Sequence, residues 1–268
     1  MVDNTDKYRQ MFSLENKVVM ITGGAGHLGA AMSKALASFG ANVIMIGRNE
    51  QKLSDLVKQN RPPGNNSFEY YVCDVTREEE FQGVVEKVIS KHGKIDVLIN
   101  TAHSGKREKF EDLTKAGWND GLEHTLTHYF TCIKAVSPIM LKAGSGSIIN
   151  IASLYSFLGV DQRIFLDLGN NTPIHYTVAK GGILQMTRYL ATLWGDKGIR
   201  VNAISPGYFP QKRGPERPDY MYELTRRIPM GRIGQPDDLA GIVVYLASEA
   251  SSYVTGQNFV IDGGWSVW

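Results

Sequence analysis

Tyr176 and Lys180 stand four residues apart in Tyr176-Thr177-Val178-Ala179-Lys180, a spacing that sets both side chains on one face of a helix. A free phenol, titrating near about 10, is a poor acid–base group at neutral pH. A neighbouring ammonium stabilises the phenolate and lowers that value. Ser153 closes the run Asn150-Ile151-Ala152-Ser153, and its hydroxyl can hold the oxygen of a carbonyl or an alcohol. The three residues together have the chemistry of proton exchange at a C=O/CH–OH centre. A tyrosine and a lysine at this spacing recur by chance, so their meaning depends on the elements that carry them.

A second cluster supplies a different chemistry. Thr22-Gly23-Gly24-Ala25-Gly26-His27-Leu28-Gly29 joins an apolar, β-branched run to an amphipathic stretch. Residues without Cβ permit a tight turn and let a pyrophosphate lie against backbone N–H groups at a helix N-terminus. In such a site the adenosine ribose is read at the end of the second strand. A carboxylate there suits a free 2′-hydroxyl, whereas an arginine accommodates a 2′-phosphate. This chain reads Gly47-Arg48-Asn49, with no carboxylate before Glu50, which favours NADP(H) over NAD(H).

The elements that must position these residues follow from hydrophobic periodicity. Short apolar runs over 18–22, 43–46, 68–72, 95–99, 147–151, 199–204 and 258–261 alternate with helical stretches over 27–39, 50–59, 77–92, 116–142, 176–193 and 236–248. The alternation predicts an α/β chain: one doubly wound Rossmann domain over 1–268, with a seven-stranded parallel sheet covered on both faces. The glycine turn then follows the first strand, and Ser153, Tyr176 and Lys180 follow the fifth. Segments 154–173 and 208–229 are long for connections in such a fold, and are expected to cover the substrate.

Bulk properties narrow the function classes. Hydrophobic residues are 43% and charged residues 21%, so a mostly disordered chain is excluded. A net charge of +2 gives no reason to expect nucleic acid or an anionic membrane as partner. No apolar run approaches the roughly 18 residues of a membrane span, and 1–14 lacks the apolar core of a signal peptide. Cys73 and Cys132 are too few for a disulfide framework, so a reducing, cytoplasmic compartment is expected.

With these pieces in place, the chain resembles the short-chain dehydrogenase/reductase family, in its short branch, over nearly its whole length. The matching pieces are the 22–29 loop, Cys73-Asp74-Val75, Asn100-Thr101-Ala102, Ser153, Tyr176 with Lys180, Arg200-Val201-Asn202, Ser205-Pro206-Gly207, Arg232-Ile233-Gly234 and Asp262-Gly263-Gly264. The resemblance implies roles. Tyr176 is the general acid–base, Lys180 binds the nicotinamide ribose and tunes Tyr176, and Ser153 orients the substrate oxygen. Asp74 meets the adenine, and Pro206-Gly207 flanks the nicotinamide. The cofactor contacts implied are Gly23, Gly26, His27, Leu28, Arg48, Asp74, Val75, Asn100, Ala102, Tyr176, Lys180, Pro206, Gly207 and Phe209. A homotetramer or homodimer is implied as well.

Three departures from the family pattern stand out. His27 occupies a position where short-branch members carry glycine. His103 follows Asn100-Thr101-Ala102 where the pattern has another glycine, which puts an imidazole near the nicotinamide. Thr125 aligns with the family's catalytic asparagine, and its hydroxyl can hold a relay water. Substrate contacts are expected from His103, Tyr155, Arg163, His175 and Tyr208, with Phe157, Phe165 and Phe209 beside them or packing the loops. Lys106, Arg107, Arg163, Lys212, Arg213 and Arg217 fall in loops over the site and suit an anionic substrate, although Glu108, Glu111 and Glu216 lie among them. His124 and His128 are four apart on a helix, but the glutamate of a zinc motif is missing, so helix packing or subunit contact is the expectation and no metal is assigned.

The function that follows is an NAD(P)-dependent oxidoreductase moving a hydride between nicotinamide and a secondary alcohol or ketone, on a polar substrate such as a polyol, sugar or sugar acid. A 3-oxoacyl-thioester reductase, a non-catalytic dinucleotide-binding regulator and a sugar-nucleotide epimerase are the competing readings.

Overall fold

The computed structural model describes residues 4–60, 66–165, 172–211 and 218–268. Strands β1 (Val18–Thr22), β2 (Asn42–Gly47), β3 (Phe68–Val72), β4 (Val97–Asn100), β5 (Gly146–Ile151), β6 (Ile199–Pro206) and β7 (Asn258–Ile261) form one seven-stranded sheet in the order β3-β2-β1-β4-β5-β6-β7. Every pairing is parallel. β1, β4 and β5 are buried along their full length, so they are largely apolar on both faces, and the polar side chains they bury, such as Asn100, Ser147 and Asn150, are hydrogen-bonded.

The helices are α1 (Asn4–Gln10), α2 (His27–Ser38), α3 (Glu50–Gln59), α4 (Glu78–His92), α5 (Lys115–Leu122), α6 (His128–Ala143), α7 (Ile174–Trp194), α8 (Pro218–Thr225) and α9 (Ala240–Ala247). Alternate strand residues face opposite layers. Val19, Ile21, Val43, Met45 and Ile99 pack with Met32 and Leu36 of α2, Leu53 of α3, and Val243 and Val244 of α9. Met20, Ile44, Ile46, Leu98 and Ile148 pack on the other side with Phe81 and Val84 of α4, Cys132 and Val136 of α6, and Trp194 of α7. Each fully buried aliphatic or aromatic side chain in these two layers contributes about 1.5–3 kcal/mol.

The strand order reverses between β1 and β4, where Thr22 pairs with Asn100. No helix crosses between these neighbours, so a crevice opens above their carboxyl ends. Thr22 Oγ1 accepts the N–H of Thr101 at 3.1 Å and of Ala102 at 3.3 Å, fastening one exit loop to the end of the other strand. Gly23 leaves β1 with φ +67, and a Cβ there would stand 3.0 Å from the Ala102 backbone nitrogen.

Two expectations change. The single helix over 116–142 is interrupted by a π-helical turn, Glu123–Thr127, between α5 and α6. His128 explains how the wider turn is satisfied. Its backbone N–H reaches back five residues to Glu123 O, and its Nδ1 meets the same oxygen at 3.0 Å. Segment 208–229 carries a helix, α8, rather than an irregular excursion. Residues 166–171 and 212–217, with Lys212, Arg213, Glu216 and Arg217, lie outside the described residues.

The glycine turn gives a direct test of packing. A Cβ on Gly29 would lie 2.1 Å from Gly23 O, a backbone atom that cannot move without opening the turn. Gly29→Ala is expected to destabilise the protein by about 1–3 kcal/mol in urea unfolding. Gly83→Ala, mid-helix in α4 with nothing within 4 Å of its Cβ, is expected to stabilise by about 0.5–1 kcal/mol.

Candidate active site

Two adjoining hollows occupy the crevice. The outer one, of about 660 Å³, runs from the Gly23–His27 turn past Gly47-Arg48-Asn49 to Asp74 and Val75. The inner one, of about 320 Å³, is bounded by Ala102, His103, Ser153, Tyr176, Lys180, Pro206, Gly207 and Phe209. Gly23, Gly26, His27, Ala102, His103 and Gln211 form walls of both, so the hollows make one bent cleft with the glycine turn at its elbow.

Local turns aim the inner groups. Ser153 follows β5 in extended conformation and starts a 3-10 turn, Leu154–Ser156. Its Oγ accepts the Tyr155 N–H at 3.2 Å, and its own N–H donates to Ser156 Oγ at 3.0 Å. That reciprocal pair fixes the serine hydroxyl at the mouth of the strand. Tyr176, in the first turn of α7, lines the inner hollow together with Ser153. One helical turn on, Lys180 is buried and donates to Ile151 O at 2.6 Å and to the Tyr129 hydroxyl at 3.4 Å.

The electrostatics differ from the expectation that Lys180 lowers the Tyr176 pKa. Burial pulls Lys180 from 10.5 down to about 7. A half-neutral amine, 5.7 Å from the Tyr176 ring centre and bonded elsewhere, gives the phenol little positive charge. Burial therefore dominates and raises Tyr176, while the neighbouring Ser153 hydroxyl and Arg107 oppose it.

The outer hollow fits a dinucleotide. His27, the first residue of α2, has a buried Nε2 with no partner, a polar atom left over at a helix N-terminus beside the glycine turn. At the far end Asp74 accepts from Thr76 N at 3.1 Å and Thr76 Oγ1 at 2.8 Å. Although burial opposes them, these bonds and Arg48, 3.9 Å away, hold the Asp74 carboxyl below its usual range. Lys52 joins Arg48 on the same wall, whereas Glu50 is not part of it.

Gly23, Gly26, His27, Leu28, Arg48, Asp74, Val75, Ala102, His103, Ser153, Tyr176, Lys180, Pro206, Gly207 and Phe209 all line the cleft. Others do not. Asn100 is fully buried in the sheet, its Nδ2 donating to Asn150 Oδ1 at 3.0 Å, because a residue inside β4 points into a packed layer. Thr125 sits behind His103, with its Oγ1 3.2 Å from His103 Nδ1. The Tyr155 and Tyr208 hydroxyls bond each other, and Tyr208 packs on Trp265. Arg163 is exposed and paired with Asp161 at 2.8 Å. His175 is 2% exposed with neither ring nitrogen bonded. One residue along a helix is a turn of about 100°, so with Tyr176 on the cleft His175 faces Gly121 of α5. Gln211 was not anticipated; a lone glutamine in a loop carries no sequence signal.

Residues 23–266 match the family model described as enoyl-(acyl carrier protein) reductase. The chain is 35% identical over 253 residues to 3-oxoacyl-[acyl-carrier-protein] reductase of Thermotoga maritima, covering 94% of this chain and 98% of that protein. It is 36% identical over 259 residues to 2-dehydro-3-deoxy-D-gluconate 5-dehydrogenase of Bacillus subtilis, covering 95% and 96%. Among solved structures, a gluconate 5-dehydrogenase from Burkholderia cenocepacia in complex with NADP and tartrate superposes with a TM-score of 0.86, at 29% identity, over 97% of this chain and 98% of that one.

The buried amine makes a stability prediction with a defined sign. Lys180 carries a folded pKa of about 7 against an ordinary 10.5. The unfolded chain therefore binds the extra proton first as pH falls, and stability declines from pH 10.5 towards pH 7. Lys180→Met is expected to raise Tm at neutral pH and to remove that part of the slope, measured by thermal unfolding across the window. Ile151 O stays satisfied in the variant by the Tyr129 hydroxyl at 3.1 Å.

Proposed function

The chain belongs to the short-chain dehydrogenase/reductase family and is an NAD(P)-dependent oxidoreductase of the secondary alcohol/ketone couple, and we propose that it acts on a small polyhydroxylated substrate, a polyol, sugar or sugar acid, with NADP(H) preferred. The observation that carries the reading is the convergence of Ser153, Tyr176 and Lys180 on the inner part of a cleft whose elbow is a glycine turn between strand and helix.

When bound, the nicotinamide supplies or accepts the hydride. The chain's own residues do the rest. Backbone N–H groups of the 23–29 turn hold the pyrophosphate, and Asp74 and Val75 border the adenine. Ser153 donates a hydrogen bond to the substrate oxygen. In reduction the Tyr176 hydroxyl gives that oxygen its proton; in oxidation Tyr176 takes it back. Lys180 titrates at about 7, so it can exchange a proton at neutral pH as well as hold the nicotinamide ribose.

Arg48 and Lys52 flank the ribose end, and Arg48 offsets Asp74, the carboxylate that lines that wall. That charge balance suits a 2′-phosphate. Polar substrates are supported by the gluconate-type relatives and by the tartrate in the Burkholderia complex. The Thermotoga relative supports a second reading, reduction of a 3-oxoacyl thioester. A cytoplasmic homotetramer or homodimer fits the apolar side chains left exposed along α6, α7 and the C-terminus, namely Phe130, Val178, Tyr189, Leu193 and Trp268.

The test follows NADPH and NADH absorbance separately over polyols, sugar acids and 3-oxoacyl thioesters. Turnover of sugar acids or polyols with NADPH is expected; thioester reduction alone would favour the second reading. Arg48→Ala is expected to raise KM for NADPH by about tenfold and leave NADH unaffected, and a wild-type preference for NADH would overturn the cofactor assignment. Tyr176→Phe is expected to lower kcat by about 10²–10⁴ with NADPH affinity retained.

A further inference from the structure

The loop that leaves β4 is fastened to the π-helical turn at three successive residues. His128 Nε2 meets Ala102 O at 3.0 Å, Thr125 Oγ1 shares a hydrogen bond with His103 Nδ1 at 3.2 Å, and the Ser104 N–H donates to His124 O at 3.3 Å. The middle bond is the informative one. A threonine inside a regular helix turns its hydroxyl back to a carbonyl of the preceding turn; Thr125, fully buried where the helix widens, turns outward to the imidazole instead. His103 then sets its ring edge against Tyr176, with ring centres 4.9 Å apart and planes at 61°. That is a favourable edge-to-face geometry, and it backs the phenol on one side within the inner hollow that Ser153 also lines.

We propose that the π turn, through Thr125 and His103, positions the Tyr176 hydroxyl in the inner hollow beside Ser153. His103 and Thr125 are positioning residues: they act on the reaction through the orientation of the phenol. The inference rests on the reading of Tyr176 as the acid–base group. An imidazole bonded at Nδ1 has lost its freedom to rotate, and a fixed ring is what a tyrosine at a helix start needs as a backstop. The charged and titratable groups facing Tyr176 are Lys180 on its own helix, His103 and Arg107 from the loop after β4, Tyr129 from α6 and Tyr155 from the turn after β5.

The experiment is a double-mutant cycle on the full-length enzyme with its best alcohol substrate. His103→Phe keeps a ring beside Tyr176 but has no Nδ1; Thr125→Val keeps the shape but has no hydroxyl. Each is expected to lower kcat by about tenfold, and the double variant by the same tenfold rather than a hundredfold, because both break one bond. NADPH affinity, read by fluorescence, is expected to stay within about twofold. Thr125→Ser is expected to recover most of the rate lost in Thr125→Val.

The pH profile separates positioning from general loosening. The neighbouring Ser153 hydroxyl lowers the Tyr176 pKa, and alcohol oxidation needs the phenolate. A phenol that drifts off Ser153 therefore moves the rise of kcat to higher pH in both single variants. Unchanged kcat and pH profile, multiplying losses in the double variant, or a parallel loss of NADPH affinity would each overturn the proposal. Full activity in Tyr176→Phe would instead overturn the acid–base reading beneath it.

Discussion

Where β1 and β4 run side by side with no crossover between them, their exit loops must come together at backbone distance, and the rest of the site depends on that approach. Thr22 Oγ1 holds the N–H groups of Thr101 and Ala102. Gly23, with no room for a side chain, lets the phosphate turn fold against the same loop. The outer and inner hollows meet there, so one set of contacts fixes the angle between the two arms of the cleft. The sheet contributes rigidity, since β1, β4 and β5 are buried throughout. Loops positioned by such strands hold their geometry with little help from their own length.

Desolvation, more than pairing of charges, sets the chemistry of the inner cleft. Lys180 is pulled to about 7 with no carboxylate beside it, and Tyr176 is raised. His103 and His128 are both pushed down by burial and by Lys180, which keeps their rings uncharged at neutral pH. A site built in this way carries little net charge of its own when empty. A buried amine that costs stability is consistent with the tendency of functional sites to retain groups that folding alone would not select. The π turn belongs to the same pattern: a local loss of helical regularity that hands Thr125 and His128 to the loop beside the reacting end.

Much of this was legible in the chain itself. Strands of uninterrupted apolar residues announced a parallel sheet covered on both faces, and the glycine turn and the Ser153, Tyr176 and Lys180 set announced the cleft. What could not be read was side-chain direction. Asn100 and His103 lie three residues apart in one motif, yet one points into the sheet and the other into the cleft. His175 and Tyr176 are neighbours, yet only the tyrosine faces the reacting end. Tyr155 and Tyr208, plausible lining groups by position, satisfy each other's hydroxyls instead.

The sequence by itself determined the alternation of strands and helices, the place of the glycine turn and the sharing of one helix face by Tyr176 and Lys180, because these follow from local periodicity, from the absence of Cβ and from spacing along one helix. Tertiary structure alone decided that 116–142 breaks into a π turn, that burial pulls the Lys180 pKa down to about 7, and that His103 is clamped between Thr125 and Tyr176. The physical reason is range. Backbone preferences are set by adjacent residues, whereas the pKa of a buried amine and the rotation of an imidazole are set by partners that only the closed fold brings within a few ångströms.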